Sequence, residues 1–498
     1  MHATANPPRP ADRPAPSSRR RRFRPLLERC ENRALLTVYT VTALTDAGTG
    51  RGTTGDLRYC IARANADGGR DTITFAVTGS IQLDSPLPSL TDPRGLTIAG
   101  PGAGSLTVRG GGTAANFTML RVIQGAKATI SGLTFTNGNA VRAGGAIFNG
   151  GNLTIADSTF VANTAPRNGG ALNNVGTMTL IRSTVVGNSA RATGGGTSGN
   201  ISRGNGGGIN NSGVLAIADS IIANNAAGTA GGGLDSTFGT VTITNTTIAG
   251  NAADVFGGGI ALNGPTDFSS RGGRLTLIGT TLSDNHAGTS ADTGYAGGLG
   301  GNDSAVVARN STFMNNTSGR RAGGVGMNGG DFVARGSTFS GNATGGSGGG
   351  LSINGGTSIT GRGKTQGATL SLEGATFVNN TAGRNGGGIE ATSTGAAIAG
   401  TTIAGNSAGV DGGGISLDFD PTFRETHGKL ALTNSTIAGN TALRNGGGIN
   451  NADELALTNV AITSNVASGT GGGLSNQAKL TVVRSTIADN LPNNTNGR

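Results

Sequence analysis

The chain has 498 residues, of which 93 are Gly and 14 Pro, with no Trp and only 13% charged residues. Gly does not recur at every third position, which excludes a collagen helix, and the regular spacing of aliphatic residues excludes a disordered Gly-rich tract. The formal charge is +10, but residues 1–36 hold nine Arg against Asp12, Glu28 and Glu31, so this arm carries +6 and the rest of the chain only +4. The basic balance therefore belongs to the arm and not to a nucleic-acid groove, and no nucleic-acid partner is expected.

Residues 1–36 read as a disordered, basic, export- or targeting-like arm. Its Arg cluster is not followed by the apolar run of roughly 7–15 residues that a secretory leader needs. No stretch of roughly 18 apolar residues occurs, so no transmembrane helix is expected. Cys30 and Cys60 are the only cysteines, and Cys60 reads as a small apolar residue on a helix. Residues 37–125 read as an N-terminal cap with the first irregular rungs. A strand is expected at 37–44. The Gly-rich loop at 48–55 lacks the Gly-Lys-Ser/Thr ending of a phosphate-binding loop. Asp56 caps a predicted helix at 57–65 with Leu57, Cys60, Ile61 and Ala64 as its apolar stripe. Strands are expected at 72–77 and 81–90. A solenoid end exposes apolar core and strand edges, and this helix is the predicted plug.

From 126 to 490 one unit of about 25 residues repeats, longer where a loop is inserted. Its clearest copy runs from Gly446-Gly447-Gly448 and Ile449 through Leu455 and Leu457 to Ile462 and Asn465. The same Asn recurs as Asn163, Asn188, Asn225, Asn251, Asn285, Asn316, Asn342, Asn380, Asn406, Asn440, Asn465 and Asn490. Each stands three residues after an apolar residue, for example Phe160, Ile222, Phe339 and Ile487. Apolar pairs such as Leu430 and Leu432 keep a two-residue period, so both members share one face of a strand. No window keeps a 3.6 period, and helical repeats are excluded. Three short strands per period predict a three-sided parallel β-helix. The Asn column is expected to form a hydrogen-bonded structural ladder at a turn, with Gly supplying positive φ at the opposite turn. Residues 491–498 form a polar tail, and no cap for the far end is apparent.

Two resemblances follow from particular residues. Leu27, Glu28, Arg33, Leu35 and Leu36 resemble the Leu-Glu-x-Arg-x-Leu-Leu segment near the N-terminus of large planctomycete surface proteins, with Cys30 and Asn32 departing from the commoner form. Residues 38–149 resemble the N-terminal part of a family of predicted secreted bacterial β-helix proteins. Val41, Thr42 and Asp46; Leu57, Arg58, Ile61, Ala64 and Asn65; Asp71, Ile73 and Phe75; Leu87, Pro88 and Leu90; and Leu96, Ile98, Gly100, Pro101 and Gly102 carry that match. The Gly-Gly-Gly-Ile-x-Asn copies are similar to polymorphic outer-membrane-protein repeats. Together the resemblances imply an all-β, right-handed parallel β-helix that is extracellular or associated with the cell surface or outer membrane. They imply no activity.

The functional expectation is a non-catalytic structural or adhesive protein binding an envelope glycan or a surface protein. Acids look sparse and scattered in the repeat, and the few aromatic rings argue against a sugar groove. Three inserted loops, 263–274, 354–368 and 418–429, leave the same turn and should line one edge. They carry the candidate binding residues Arg271, Arg274, Arg362, Lys364, Phe419, Arg424 and Lys429. Asp418 and Asp420 are the candidate Ca²⁺ site; no other cofactor is expected. The alternative is a polysaccharide-active enzyme, a lyase or glycoside hydrolase, with its site in those loops. Three carboxylates converging with an Arg in one cleft would favour the enzyme. A flat face of loops and ladders would favour adhesion.

Overall fold

The computed structural model describes residues 36–112, 116–191, 204–264, 272–288, 293–355, 368–418 and 428–497, all within one compact unit, Leu36–Arg498. Alternation decides its strands. In Glu454–Thr458 the side chains of Leu455 and Leu457 point inward and are fully buried, while Ala456 and Thr458 face outward. The same strand pairs in parallel with Lys429–Thr433 on one side and Leu480–Val483 on the other. Every such pairing advances the coil by one rung, and the whole is a right-handed parallel β-helix, the hand that twisted strands impose on parallel crossovers.

Each turn of the regular coil lays down four strands where the sequence pattern suggested three. The first follows the Gly burst (Ile449–Asn451) and the second is the Leu-x-Leu strand (Glu454–Thr458). These two faces join through the long strands Leu299–Arg309 and Val325–Arg335 into a 30-stranded sheet. The third strand (Ala461–Thr463) belongs to a 15-stranded sheet. The fourth is a two-residue strand just after the Asn, such as Val466–Ala467, in an 11-stranded sheet. Two residues are too few to show a period, which is why it leaves no trace in the sequence.

The interior is built from columns. Phe313, Phe339 and Phe377 stack with ring centroids 4.8 and 4.3 Å apart. Beside them, each Asn of the repeat lends its Oδ1 to the backbone N–H and Nδ2 of the Asn one rung earlier. Asn163 to Asn188 shows the pattern at 2.9 and 3.0 Å, and Asn465 to Asn490 repeats it at the same distances. Buried amides are satisfied rung by rung, which is what allows polar side chains inside the core. Two further ladders have no counterpart among the sequence expectations. Asn149, Asn174 and Asn211 are linked side chain to side chain at the first corner. Ser158, Ser183 and Ser220 do so through backbone N–H groups at another.

The cap helix is Leu57–Asp67, two residues longer than predicted; Asp56 accepts from the Tyr59 N–H at its start. Leu57, Cys60, Ile61 and Ala64 are its buried residues. Arg58 grips Asp46, and Asn65 holds the chain at Ser89 and Thr91. The 48–55 loop contains a small hairpin, Gly50–Arg51 against Thr54–Gly55. The predicted 81–90 strand stops at Gln82, in Gly79–Gln82, ahead of the two prolines. At the far end, Thr495–Gly497 pairs with Leu474–Asn476, and Asn494 closes the Asn ladder by accepting from the Asn490 N–H. Val482 and Val483 remain exposed there.

Candidate functional site

A strand of the first face has one outward side chain between two inward ones. Register stacks these outward residues into a floor running Phe148, Asn173, Asn210, Asp235, Ala261, Gly300, Gly326, Ser352, Glu390 and Ser416. One wall comes from the residue just ahead of each Gly burst: Ala230, Phe256, Tyr295 and Arg321 sit on successive rungs. The other wall comes from the strand ends, Asn263, Asn302, Asn328, Asn354, Thr392 and Asp418, again in register. The three columns define a groove along the coil axis, whose floor side chains from Asn173 to Ala261 are buried. Near the small floor residue Gly326 it deepens into a cavity of about 950 Å³, also lined by Phe256, Tyr295, Asp303 and Arg321. Gly300 lies beneath the Phe256 ring, which a Cβ there would approach to 2.7 Å, so any larger residue has to displace that ring.

Charged groups gather in this groove. Arg321 Nη2 donates to Glu390 at 2.8 and 3.1 Å, and its Nε donates to Ser352 Oγ at 2.9 Å. Ser352 and Thr392 also donate to Glu390. Glu390 is thus buried and saturated, and its charge holds Arg321 protonated above the ordinary arginine range. Asp418 accepts from Asn385 and Ser416. Burial, then the Glu390 charge, and more weakly Asp411, push its carboxyl upward. Asp411 in turn pairs with Arg444.

The cavity itself holds Asp303 on one wall and Tyr295 on the other, both on the rung whose floor is Gly300. Asp303 has a left-handed backbone at φ 43°. Burial pushes its carboxyl up to about 6. Its Oδ2 has no hydrogen-bond partner among the described residues, and the same holds for Asn205 Oδ1 and Asn354 Oδ1, which also line the cavity. These three unpaired acceptors are buried in the cavity wall, and the polar chemistry facing the cavity comes from their residues together with Asn263, Asn302 and Asn328. Nearby, Asp235 is fully buried and pushed up to about 7 by burial, despite hydrogen bonds from Thr237 and Asn263. Tyr295 carries the Arg320 guanidinium 5.3 Å from its ring centre, and Phe238 is exposed at the rim.

Of the residues singled out from sequence, Arg271, Arg362, Lys364, Phe419, Asp420 and Arg424 lie outside the described residues. Asn263, Asn354 and Asp418, where the three loops depart, share one column at the groove edge. Arg274 and Lys429 instead open strands of the second face, and Lys429 is paired with Glu454. Among the described residues no group of three or more His, Cys, Asp or Glu is disposed to hold a metal. The impression of scattered acids is corrected: Asp235 and Glu390 share the floor column, with Asp303 and Asp418 beside it. Aligning the copies on the Gly burst would have revealed this, since Asp235 and Glu390 each follow the apolar residue after Gly-Gly-Gly. Three of the few aromatic residues, Phe238, Phe256 and Tyr295, line this one cavity.

No family model and no curated protein sequence matches the chain. Solved structures similar to it include the A-module of a mannuronan C-5 epimerase from Azotobacter vinelandii, at 13% identity and TM-score 0.43, covering 90% of this chain and 98% of that one. Tailspike protein 3 of bacteriophage CBA120 matches at 13% identity and TM-score 0.41 over 89% of this chain, which spans 60% of the tailspike. The catalytic unit of an α-1,3-glucanase from Streptomyces thermodiastaticus matches at 14% identity and TM-score 0.31, covering 90% and 69%. A likeness at these levels transfers no activity.

Proposed function

We propose that the protein is an extracellular or surface-displayed, polysaccharide-active enzyme whose axial groove takes a linear glycan. The observation that carries this reading is the groove's pairing of a fixed cation, Arg321, with a cavity carboxyl, Asp303, that titrates near 6 and has an unused oxygen. Titratable groups shifted by burial inside a concave site mark proton-transfer chemistry.

The reaction class follows from what is free to react. Hydrolysis by the usual route needs two working carboxyl groups about 5–10 Å apart. Glu390 is saturated by Arg321, Ser352 and Thr392, so it serves as the positioning residue for Arg321. Asp235 is fully buried, hydrogen-bonded to Thr237 and Asn263 and outside the cavity lining, so one cation and one carboxyl within reach of a ligand remain, and they fit β-elimination on an acidic sugar better. Arg321 pairs with the sugar carboxylate and stabilises the negative charge that spreads onto it. Asp303 takes the proton from the adjacent carbon as the glycosidic C–O bond breaks, leaving a C=C bond and a free hydroxyl on the departing chain. Tyr295 stands opposite to supply the proton to the leaving oxygen.

The competing reading is capture without turnover by a structural or adhesive protein. It uses the same groove and differs only in giving Asp303 no chemical role. A screen of polymannuronate, polygalacturonate and neutral β-glucan for unsaturated products and new reducing ends separates the two. Asp303→Asn should keep polymer binding and lower turnover by about 10²- to 10⁴-fold, the usual loss for a general acid or base. Binding by the wild type without product from any polymer would establish capture alone, and absence of binding would remove the groove as a glycan site.

A further inference from the structure

The same groove has a second hollow at its N-terminal end. It measures about 450 Å³ and is lined by Arg121, Val122, Ile123, Gln124, Phe148 and Val175 among others. Two of its residues, Ile123 and Val175, expose apolar side chains at 43% and 47%. The Arg121 guanidinium lies over the Phe148 ring, 5.2 Å from its centre. Arg121 and Phe148 are partners in register and occupy the floor column that leads, rung by rung, to Gly300. Five rung steps at ~4.8 Å place this hollow ~24 Å from the cavity at Asp303.

Charge distinguishes the two ends. Arg121 is exposed and forms no ion pair with a described residue; Arg142 and Arg167, exposed on the wall of the next rungs, are likewise unpaired among the described residues. From Gly95 to Ala156 the chain carries Arg109, Arg121, Lys127 and Arg142 and no Asp or Glu. At the Asp303 end, by contrast, two cations are met by carboxylates, Arg321 by Glu390 and Arg444 by Asp411, and Arg320 lies over Tyr295. Stacking on Phe148 limits the freedom of Arg121, so a planar anion can be met with little further ordering cost. The adjoining apolar side chains suit the flat face of a sugar ring.

We propose that this hollow is a distal subsite for an acidic sugar of the same chain that occupies the Asp303 cavity. The carboxylate, or a sulfate, of that sugar would sit on Arg121, with its ring against Ile123, Phe148 and Val175. The inference rests on the glycan reading of the groove and adds two statements to it: the polymer is polyanionic, and it must be long enough to bridge both hollows. An enzyme so built acts within long chains and handles short oligomers poorly.

The test compares the full 498-residue chain with its Arg121→Gln and Phe148→Ala variants. Affinities are measured for polymannuronate, polygalacturonate, their tetramers and a neutral β-glucan. Removing the Arg121 charge should weaken binding of one of the acidic polymers by about 10- to 100-fold, the range expected for a charge-assisted hydrogen bond. The corresponding tetramer, which fits the Asp303 cavity alone, should bind all three proteins equally. Arg121 is exposed, so Arg121→Gln should melt with the wild type and isolate the binding effect. Unchanged polymer affinity in both variants, with the wild type binding polymer, would overturn the distal subsite and leave the groove reading intact. Equal wild-type affinity for neutral and acidic polymers would overturn it too. Failure of the wild type to bind any glycan would overturn both readings together.

Discussion

Asn316→Ala tests whether the buried ladder is structural, and its cost can be worked out bond by bond. Asn316 is fully buried near the middle of the stack. Its Oδ1 accepts from the Asn285 N–H at 3.1 Å and from Asn285 Nδ2 at 2.9 Å. Its Nδ2 donates to the Leu282 carbonyl at 2.9 Å and to Asn342 Oδ1 at 3.0 Å. Asn342 Oδ1 keeps the Asn316 N–H after truncation, and Asn285 Nδ2 keeps the Ile248 carbonyl at 2.9 Å, so the Asn285 N–H is left with no acceptor while Asn285 Nδ2 and the Leu282 carbonyl, which stays in its strand ladder, each lose one bond. At ~1–3 kcal/mol for the unsatisfied N–H and roughly 0.5–1 kcal/mol for each of the two weakened groups, the loss should reach about 2–4 kcal/mol. That is a large share of the roughly 5–15 kcal/mol that holds an ordinary domain. In a solenoid the loss is local, so the weakened rung should divide the stack into two cooperative parts. Guanidinium unfolding followed by circular dichroism should then show a lowered midpoint and a second transition. Asn490→Ala, at the last rung, should only fray the end. The reasoning fails if Asn316→Ala unfolds within ~1 kcal/mol of the wild type, or if the two substitutions cost the same.

Three further outcomes follow from the groove. The folded-state value of Asp303 is raised, so its ionisation penalises the fold above about pH 6 and the penalty disappears as pH falls through the unfolded value; Asp303→Asn should therefore raise the melting temperature at pH 8 and have little effect at pH 4. Glu390→Gln leaves Arg321 without its bidentate carboxylate; because Arg321 is 30% exposed, the loss should be about 1–3 kcal/mol by thermal melt, below that of a fully buried pair, with a parallel drop in polymer affinity. Gly300→Ala puts a methyl group into the Phe256 ring and should cost ~1–3 kcal/mol in denaturant titration while weakening glycan binding.

The fold was legible because the same physical demand recurs at a fixed interval. Leu455 and Leu457 are inward neighbours on one strand, and the residue three before each Asn is an inward apolar column, so repetition multiplies a weak local signal. The cap helix was legible for a different reason: Asp56, Leu57, Cys60, Ile61 and Ala64 satisfy capping and a 3.6 period within a few residues. The fourth strand was not legible, because a pair such as Thr441–Ala442 has no period to detect. The site was missed because its members come from different places in the copy. Arg321 precedes a Gly burst, Glu390 follows one and Asp303 ends a first-face run, and the 2.8 Å hydrogen bond between Arg321 and Glu390 spans 69 residues of sequence.

That separation is a consequence of the architecture. Inward columns must be uniform, since Ile389, Ile415 and Ile449 stack directly on one another and any misfit is felt on both neighbouring rungs. The residue one step along the same strand points out of the core and escapes this demand. Its column runs Glu390, Ser416, Asn450 on those very rungs, and Phe148, Asp235 and Gly300 elsewhere. Change of chemical class along an outward column, beside a uniform inward one, therefore marks where a solenoid can carry function without disturbing its fold. Here the change is ordered: a cation on an aromatic ring at one end, small residues at the cavity, and a buried carboxylate holding an arginine at the other. A linear polymer laid along the axis meets these environments in sequence, one for every ~4.8 Å of rung spacing. A compact ligand could use only one of them. The extended form of the groove thus itself favours a chain-like partner.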